Sequence, residues 1–112
     1  MQEISFESTI EKNILKYLNS LHNCKAVKWS QNGRQKGNPD IICAWNGIMF
    51  LFEVKRPGEF PTRLQQATID EWRAVKVTAV VVHSAQEVKD IMDEVMRTIM
   101  LVGGTDNGSV NQ

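Results

Sequence analysis

Two carboxylates and one amine carry the chemistry available to this sequence. Asp40 closes the run Gly37-Asn38-Pro39-Asp40, and Glu53 opens Glu53-Val54-Lys55. Between them two apolar runs are joined by Asn46-Gly47, the strongest short hairpin signal a sequence offers. A two-residue turn there makes Trp45 face Ile48, and each facing pair further out keeps the same sum of residue numbers. Asp40 then falls opposite Glu53. Carboxylates facing each other across antiparallel strands stand roughly 5 Å apart at Cβ and repel. A cation between them removes that repulsion. Lys55 lies two residues beyond Glu53 and projects from the same face. One face therefore carries two acids that fit a hard divalent cation, with an ammonium beside them. That set can cleave phosphodiesters.

Mg²⁺ is held by one or two carboxylates, with water and substrate phosphate filling the remaining positions. Asp40 and Glu53 supply the carboxylates, and the carbonyl of Val54 can add a third ligand. Glu11 can reach the same ion, directly or through water, if the first helix packs on the hairpin face. Lys55 would polarise or deprotonate the attacking water, or balance charge on the pentavalent transition state. Each residue also has a plainer use. Asp40 can be a turn residue, and Glu53 and Lys55 an exposed strand pair. Glu11 can complete a capping box with Ser8, as Gln65 can with Thr62. These plainer uses are harder to sustain together, because the hairpin count sets three of the groups on one face.

The elements that position them follow from periodicity. Ile10, Ile14, Leu18 and Leu21 recur at helical spacing and predict an amphipathic helix over 8–22. Glu11 falls on the edge of that apolar stripe, and Glu7 projects the same way. A short strand is expected over 26–30, with Val27 and Trp29 on one face, and a polar loop over 31–38. The hairpin occupies 40–45 and 48–55. Its nearly continuous apolar runs indicate cover by helices on both faces. Thr62 caps a second helix running to about Val75, a buried strand follows over 77–83, and Ser84 with Glu87 starts a last helix through a capping box. The stripe of that helix ends at Ile99, and 103–112 is expected to be a flexible tail after a single domain over 1–102. The order αβββαβα makes an α/β fold with a mixed sheet of about four strands flanked by helices.

The chain's 112 residues suit one core, and 42% hydrophobic with 23% charged is an ordinary globular composition. Cys24 and Cys43 form no metal spacing, no secretory leader precedes them, and no apolar run is long enough to span a membrane. Reduced thiols in the cytoplasm of a bacterial or phage-infected cell are therefore expected. Net charge is zero, yet from Lys25 to Lys76 nine Lys and Arg stand against five acids. Lys25, Lys28, Arg34 and Lys36 run without an acid straight into the Asp40 motif, a strip placed to contact phosphates.

The string Gly37-Asn38-Pro39-Asp40, then Glu53-Val54-Lys55, resembles the PD-(D/E)xK nucleases. With Glu7-Ser8-Thr9-Ile10-Glu11, Leu64-Gln65 and Val80-Val81-Val82, the chain looks more narrowly like a stand-alone VRR-NUC domain. The resemblance implies a restriction-endonuclease-like fold, Mg²⁺ or Mn²⁺ dependence and DNA cleavage. It implies Asp40 and Glu53 as metal ligands and Lys55 as the catalytic lysine. The acid of the first helix maps best to Glu11, with Glu7 second, and a site-lining glutamine maps to Gln65, with Gln66 second. Lys28, Arg34, Lys36, Arg56 and Arg63 are the expected DNA contacts. Similar small proteins act as homodimers on Holliday junctions. Trp72 and the last helix are candidate dimer surfaces. Lys76 stands where relatives often have Gly. The activity implied is that of a structure-selective endonuclease. Flaps or single-stranded DNA are the alternative substrates, and a non-catalytic DNA-binding module is the alternative class.

Overall fold

The computed structural model describes residues 6–29 and 37–110, with side chains to residue 102. Arg34 and Lys36, and most of the expected polar loop, lie outside the described residues. The elements are α1 (Glu7–Leu18), β1 (Cys24–Lys28), β2 (Ile41–Trp45), β3 (Ile48–Val54), α2 (Arg63–Ala74), β4 (Thr78–Val82) and α3 (Ala85–Val110). This is the expected αβββαβα order, a restriction-endonuclease-like arrangement. Among the described residues four strands form one sheet in the order β1-β2-β3-β4, antiparallel except for the parallel β3–β4 pair. Among the described residues, no helix is long and apolar enough to cross a membrane.

The hairpin turns where the sequence places it. Asn46 and Gly47 take φ of 52° and 82°, the left-handed pair that a two-residue turn requires. Trp45 faces Ile48, and the ladder runs out to Ile41 opposite Phe52. Alternation then sorts β3 into two faces. Phe50, Phe52 and Val54 pack with Ile10, Ile14 and Leu18 of α1 and with Val88 and Met92 of α3. Leu51 packs with Ile69 of α2 and Ala79 of β4 on the other side. The sheet is covered on both faces, which is why its central strands are apolar almost throughout.

Several boundaries differ from expectation for identifiable reasons. Helix α1 stops at Leu18, short of His22, because Asn19 at its C-cap turns its side chain onto β1. The Asn19 amide donates to the Ala26 carbonyl and accepts the Ala26 N–H, each at 2.9 Å. Strand β1 starts two residues early, because its ladder with β2 runs from Cys24 opposite Trp45. Val27 is left 44% exposed on the face away from α1, because α2 packs chiefly on β4. Helix α3 continues to Val110, well past the end of its apolar stripe; no proline follows Pro61 to break it. Its start also differs in detail. Ser84 Oγ accepts the Glu87 N–H at 3.1 Å, but the Glu87 carboxylate reaches back to the N–H of His83.

Candidate active site

Asp40 sits one residue before β2, and its backbone is held from both sides. Its N–H donates to the Phe52 carbonyl at 3.0 Å, and its carbonyl accepts the Trp29 N–H at 2.7 Å. The ladder has ended at Ile41, so the side chain takes over: Oδ2 accepts the N–H of Val54 at 2.8 Å. The turn leading to it is equally constrained. Gly37 has φ of 90°, and a Cβ there would lie 2.8 Å from Leu64 Cγ and 3.0 Å from Thr68 Oγ1. Only glycine lets this backbone pass so close to α2. The Gly37-Asn38-Pro39-Asp40 run is thus a positioning device seated on α2.

Glu53 lies within β3 and is 2% exposed. Its Oε1 is buried and finds no hydrogen-bond partner among the described residues. Its Oε2 stands 3.9 Å from Lys55 Nζ, at the outer edge of an ion pair. Burial first, and then the Asp40 carboxylate, push the Glu53 carboxyl up to about 8; Lys55 opposes the shift. Without a metal, Glu53 therefore keeps its proton at neutral pH. The Asp40 carboxyl is also raised, chiefly by burial, against the lowering effect of the Val54 N–H. Lys55 is largely enclosed, and its own N–H is fastened to the Val82 carbonyl of β4 at 3.0 Å.

The first helix brings two acids into the same field. Ser8 lies inside α1 and Phe6 holds the N-cap position without a side-chain cap, so Glu11 completes no capping box. Glu11 is buried and pairs with Lys28 Nζ at 3.4 Å. Its charge raises both Asp40 and Glu53. Glu7, one turn earlier, also raises Glu53, and itself feels the charges of Lys55 and Asp40. Its carboxyl is raised by burial and hydrogen bonds to Glu59. Helix α1 packs on the Phe52 face of the hairpin, not on the Glu53 face, so these acids act from the end of the sheet.

Glu59 is a residue the sequence did not single out. Two bonds from the Arg56 guanidinium, at 3.1 and 2.6 Å, hold its carboxyl down at about 2. An acid three residues after a base across a Pro-Gly turn was the available signal. Arg56 is consequently neutralised by Glu59; Lys28, though paired with Glu11, is mostly exposed, and Arg63 is exposed on the first turn of α2. Gln65 is committed elsewhere. Thr62 Oγ1 accepts the Gln65 N–H, and Gln65 Oε1 accepts the Thr62 N–H at 2.9 Å, a complete capping box. Gln66 bonds Asp70 along the same helix.

Asp40 and Glu53 fit a hard divalent cation. Both are oxygen donors, they repel when ionised, and among the described residues the buried Oε1 of Glu53 lacks the partner that a buried oxygen normally has. The next carbonyl along, that of Val54, is of the same ligand type. Among the described residues, no three His, Cys, Asp or Glu side chains are already gathered as a metal-binding group.

Comparison with known proteins gives likenesses of structure. No protein-family model matches the chain, and no curated protein matches it. A solved structure described as a VRR_NUC domain superposes with a TM-score of 0.68 at 24% identity, covering 78% of this chain and 94% of that one. A VRR_NUC domain protein gives 0.69 at 14% identity, covering 83% and 89%. The Holliday junction resolvase Hjc of Archaeoglobus fulgidus gives 0.48 at 20% identity over 65% of this chain and 64% of that one, too loose to bear on the assignment. At these identities the likeness concerns architecture, and this chain has the fold seen in VRR_NUC domains.

Proposed function

We propose that this protein is a Mg²⁺- or Mn²⁺-dependent endodeoxyribonuclease selective for branched DNA, acting as a homodimer on junctions of the Holliday type. The observation that carries this reading is half-buried Asp40 facing buried Glu53, whose Oε1 finds no partner among the described residues, with Lys55 beside them. Asp40 and Glu53 would hold the ion, with the Val54 carbonyl; Glu11, or Glu7 one turn away, would orient its water. The bound cation would acidify a water and draw charge from the scissile phosphate. Asp40 is fixed for this role by Val54, and Glu53 by burial in the strand. Lys55, anchored through its backbone to β4, presents an ammonium to the attacking water or to the phosphate oxygens. Burial of Glu53 weakens solvent screening on its side of the site and strengthens the interactions there. Lys28 and Arg63 would contact phosphates. Arg34 and Lys36 are proposed for the same role from sequence alone.

Selectivity for branched DNA is read from charge and size. Among the described residues no element is placed to read base edges, so backbone shape is what they can recognise. Exposed Met96, Ile99, Met100 and Val102 near the end of α3 supply an apolar surface for pairing of two copies, which would present two sites to one junction. The test is a cleavage panel of four-way junction, flap, single strand and linear duplex with Mg²⁺ or Mn²⁺. Preferential junction cutting supports the reading, and flap or single-strand preference moves the substrate. Equal cutting of all removes the selectivity. Salt-dependent binding without cutting makes the chain a DNA-binding module.

A further inference from the structure

Cys24 and Cys43 lie on adjacent antiparallel strands, and their sulfurs are 3.5 Å apart. The register pairs Ala26 with Cys43 and Cys24 with Trp45, so the two cysteines are diagonal neighbours on the face covered by α1. Both are free thiols; Cys24 is partly exposed and Cys43 is buried. We propose that this pair is a redox modification site, in which a hydroperoxide converts the two thiols to an intramolecular disulfide that pins edge strand β1 to β2.

The separation supports it. A disulfide needs sulfurs about 2.05 Å apart, so closing the 3.5 Å gap between these diagonal neighbours takes side-chain rotation together with a small shift of edge strand β1. Accessibility orders the steps. The Cys24 thiol gives up its proton, and its thiolate attacks one peroxide oxygen, breaking the O–O bond. A sulfenic acid forms, and the departing hydroxide (or alkoxide from an organic hydroperoxide) takes up that proton to become water (or an alcohol). The Cys43 sulfur then attacks the Cys24 sulfur. Its proton leaves with the departing hydroxyl as water, and the S–S bond forms. Two thiols lose two electrons and the peroxide gains them. Burial pushes the Cys43 thiol up to about 12, which keeps it from reacting first with peroxide and leaves it as the resolving partner. The link would join residues 19 apart in the chain. It would brace the strand whose far end carries Lys28, paired with Glu11, and Trp29, bonded to Asp40.

The experiment treats the reduced full chain with hydrogen peroxide and follows intact mass, alkylation and thermal melting. The expected product is a monomer about 2 Da lighter, with both thiols blocked together and recovered by dithiothreitol. Its melting point should rise on the order of 10 °C. Cys43→Ala should halt Cys24 at a sulfenic acid that a dimedone probe traps, while Cys24→Ser leaves Cys43 alkylatable at the same dose. Oxidation of Cys24 to a sulfinic acid with Cys43 still free, or covalent dimers through Cys24, would overturn the proposal. The wild-type mass alone decides between these outcomes should a variant fail to fold.

Discussion

The Val54 N–H donates to Oδ2 of Asp40 at 2.8 Å, so the acid at the end of β2 is fastened to the residue lying between Glu53 and Lys55. The Asp40 carboxylate is thereby held against the short piece of backbone that carries Glu53 and Lys55. Asp40 cannot swing away from Glu53 without leaving a strand N–H unpaired, and the repulsion between the two acids is built into the fold.

Replacing Asp40 with Asn keeps an oxygen for the Val54 N–H and removes the charge. At about pH 8.5, with chelator, Asp40→Asn should melt about 4–8 °C higher than wild type, for about 1 kcal/mol of relieved repulsion. Millimolar Mg²⁺ should raise the wild-type melting point and leave the mutant unchanged. Equal shifts in both proteins would argue against a shared ion.

Glu53 sets a pH dependence. Its carboxyl is raised from 4.5 to about 8, by burial first and Asp40 second. Between those values the folded state holds a proton that the unfolded chain has lost. Stability should therefore fall as pH rises through this window, by at most about 1.4 kcal/mol per pH unit. Glu53→Gln should flatten the metal-free melting profile across the same range. Metal binding at neutral pH should release close to one proton, measurable as acidification of a weakly buffered sample. A pH-independent profile in wild type would contradict the burial assigned to this group.

The capping box on α2 separates two roles for Gln65. Both Thr62→Ala and Gln65→Ala should destabilise by about 1 kcal/mol, lowering the melting point by about 4–8 °C. If Gln65 acts only as a cap, cleavage well below the melting transition is unchanged in both variants. A turnover loss confined to Gln65→Ala would restore it to the chemistry.

Lys76 has φ of 73°, a left-handed conformation that a side chain resists, just beyond the end of α2. Lys76→Gly should stabilise the protein by about 0.5–1 kcal/mol, with part of the gain offset by the greater freedom of glycine in the unfolded chain. Chemical denaturation at constant m-value is the check. A lower midpoint would mean that Lys76 makes a contact outweighing its backbone.

Much of this arrangement was legible because local rules dictate it. Asn46-Gly47 admits one turn, the turn fixes the register, and the register brings Asp40 beside Glu53 and Lys55. Thr62 and Gln65 were readable as a cap for the same reason. What escaped is tertiary. Nothing local says that Asn19 will leave its helix to bond Ala26, that Gly37 will seat against Leu64, or that Glu59 will neutralise Arg56. The side of the hairpin on which α1 packs was open for the same reason, since Phe52 and Glu53 offer opposite faces and only the assembled core chooses.

The most direct measurement is junction cleavage by Lys55→Ala at saturating Mg²⁺ or Mn²⁺, beside Asp40→Ala. Lys55→Ala should remain folded and bind DNA and metal, with its cleavage rate reduced about 10²–10⁴-fold. Asp40→Ala should lose both cleavage and metal-induced stabilisation. Wild-type rates in both variants would contradict the account at its centre.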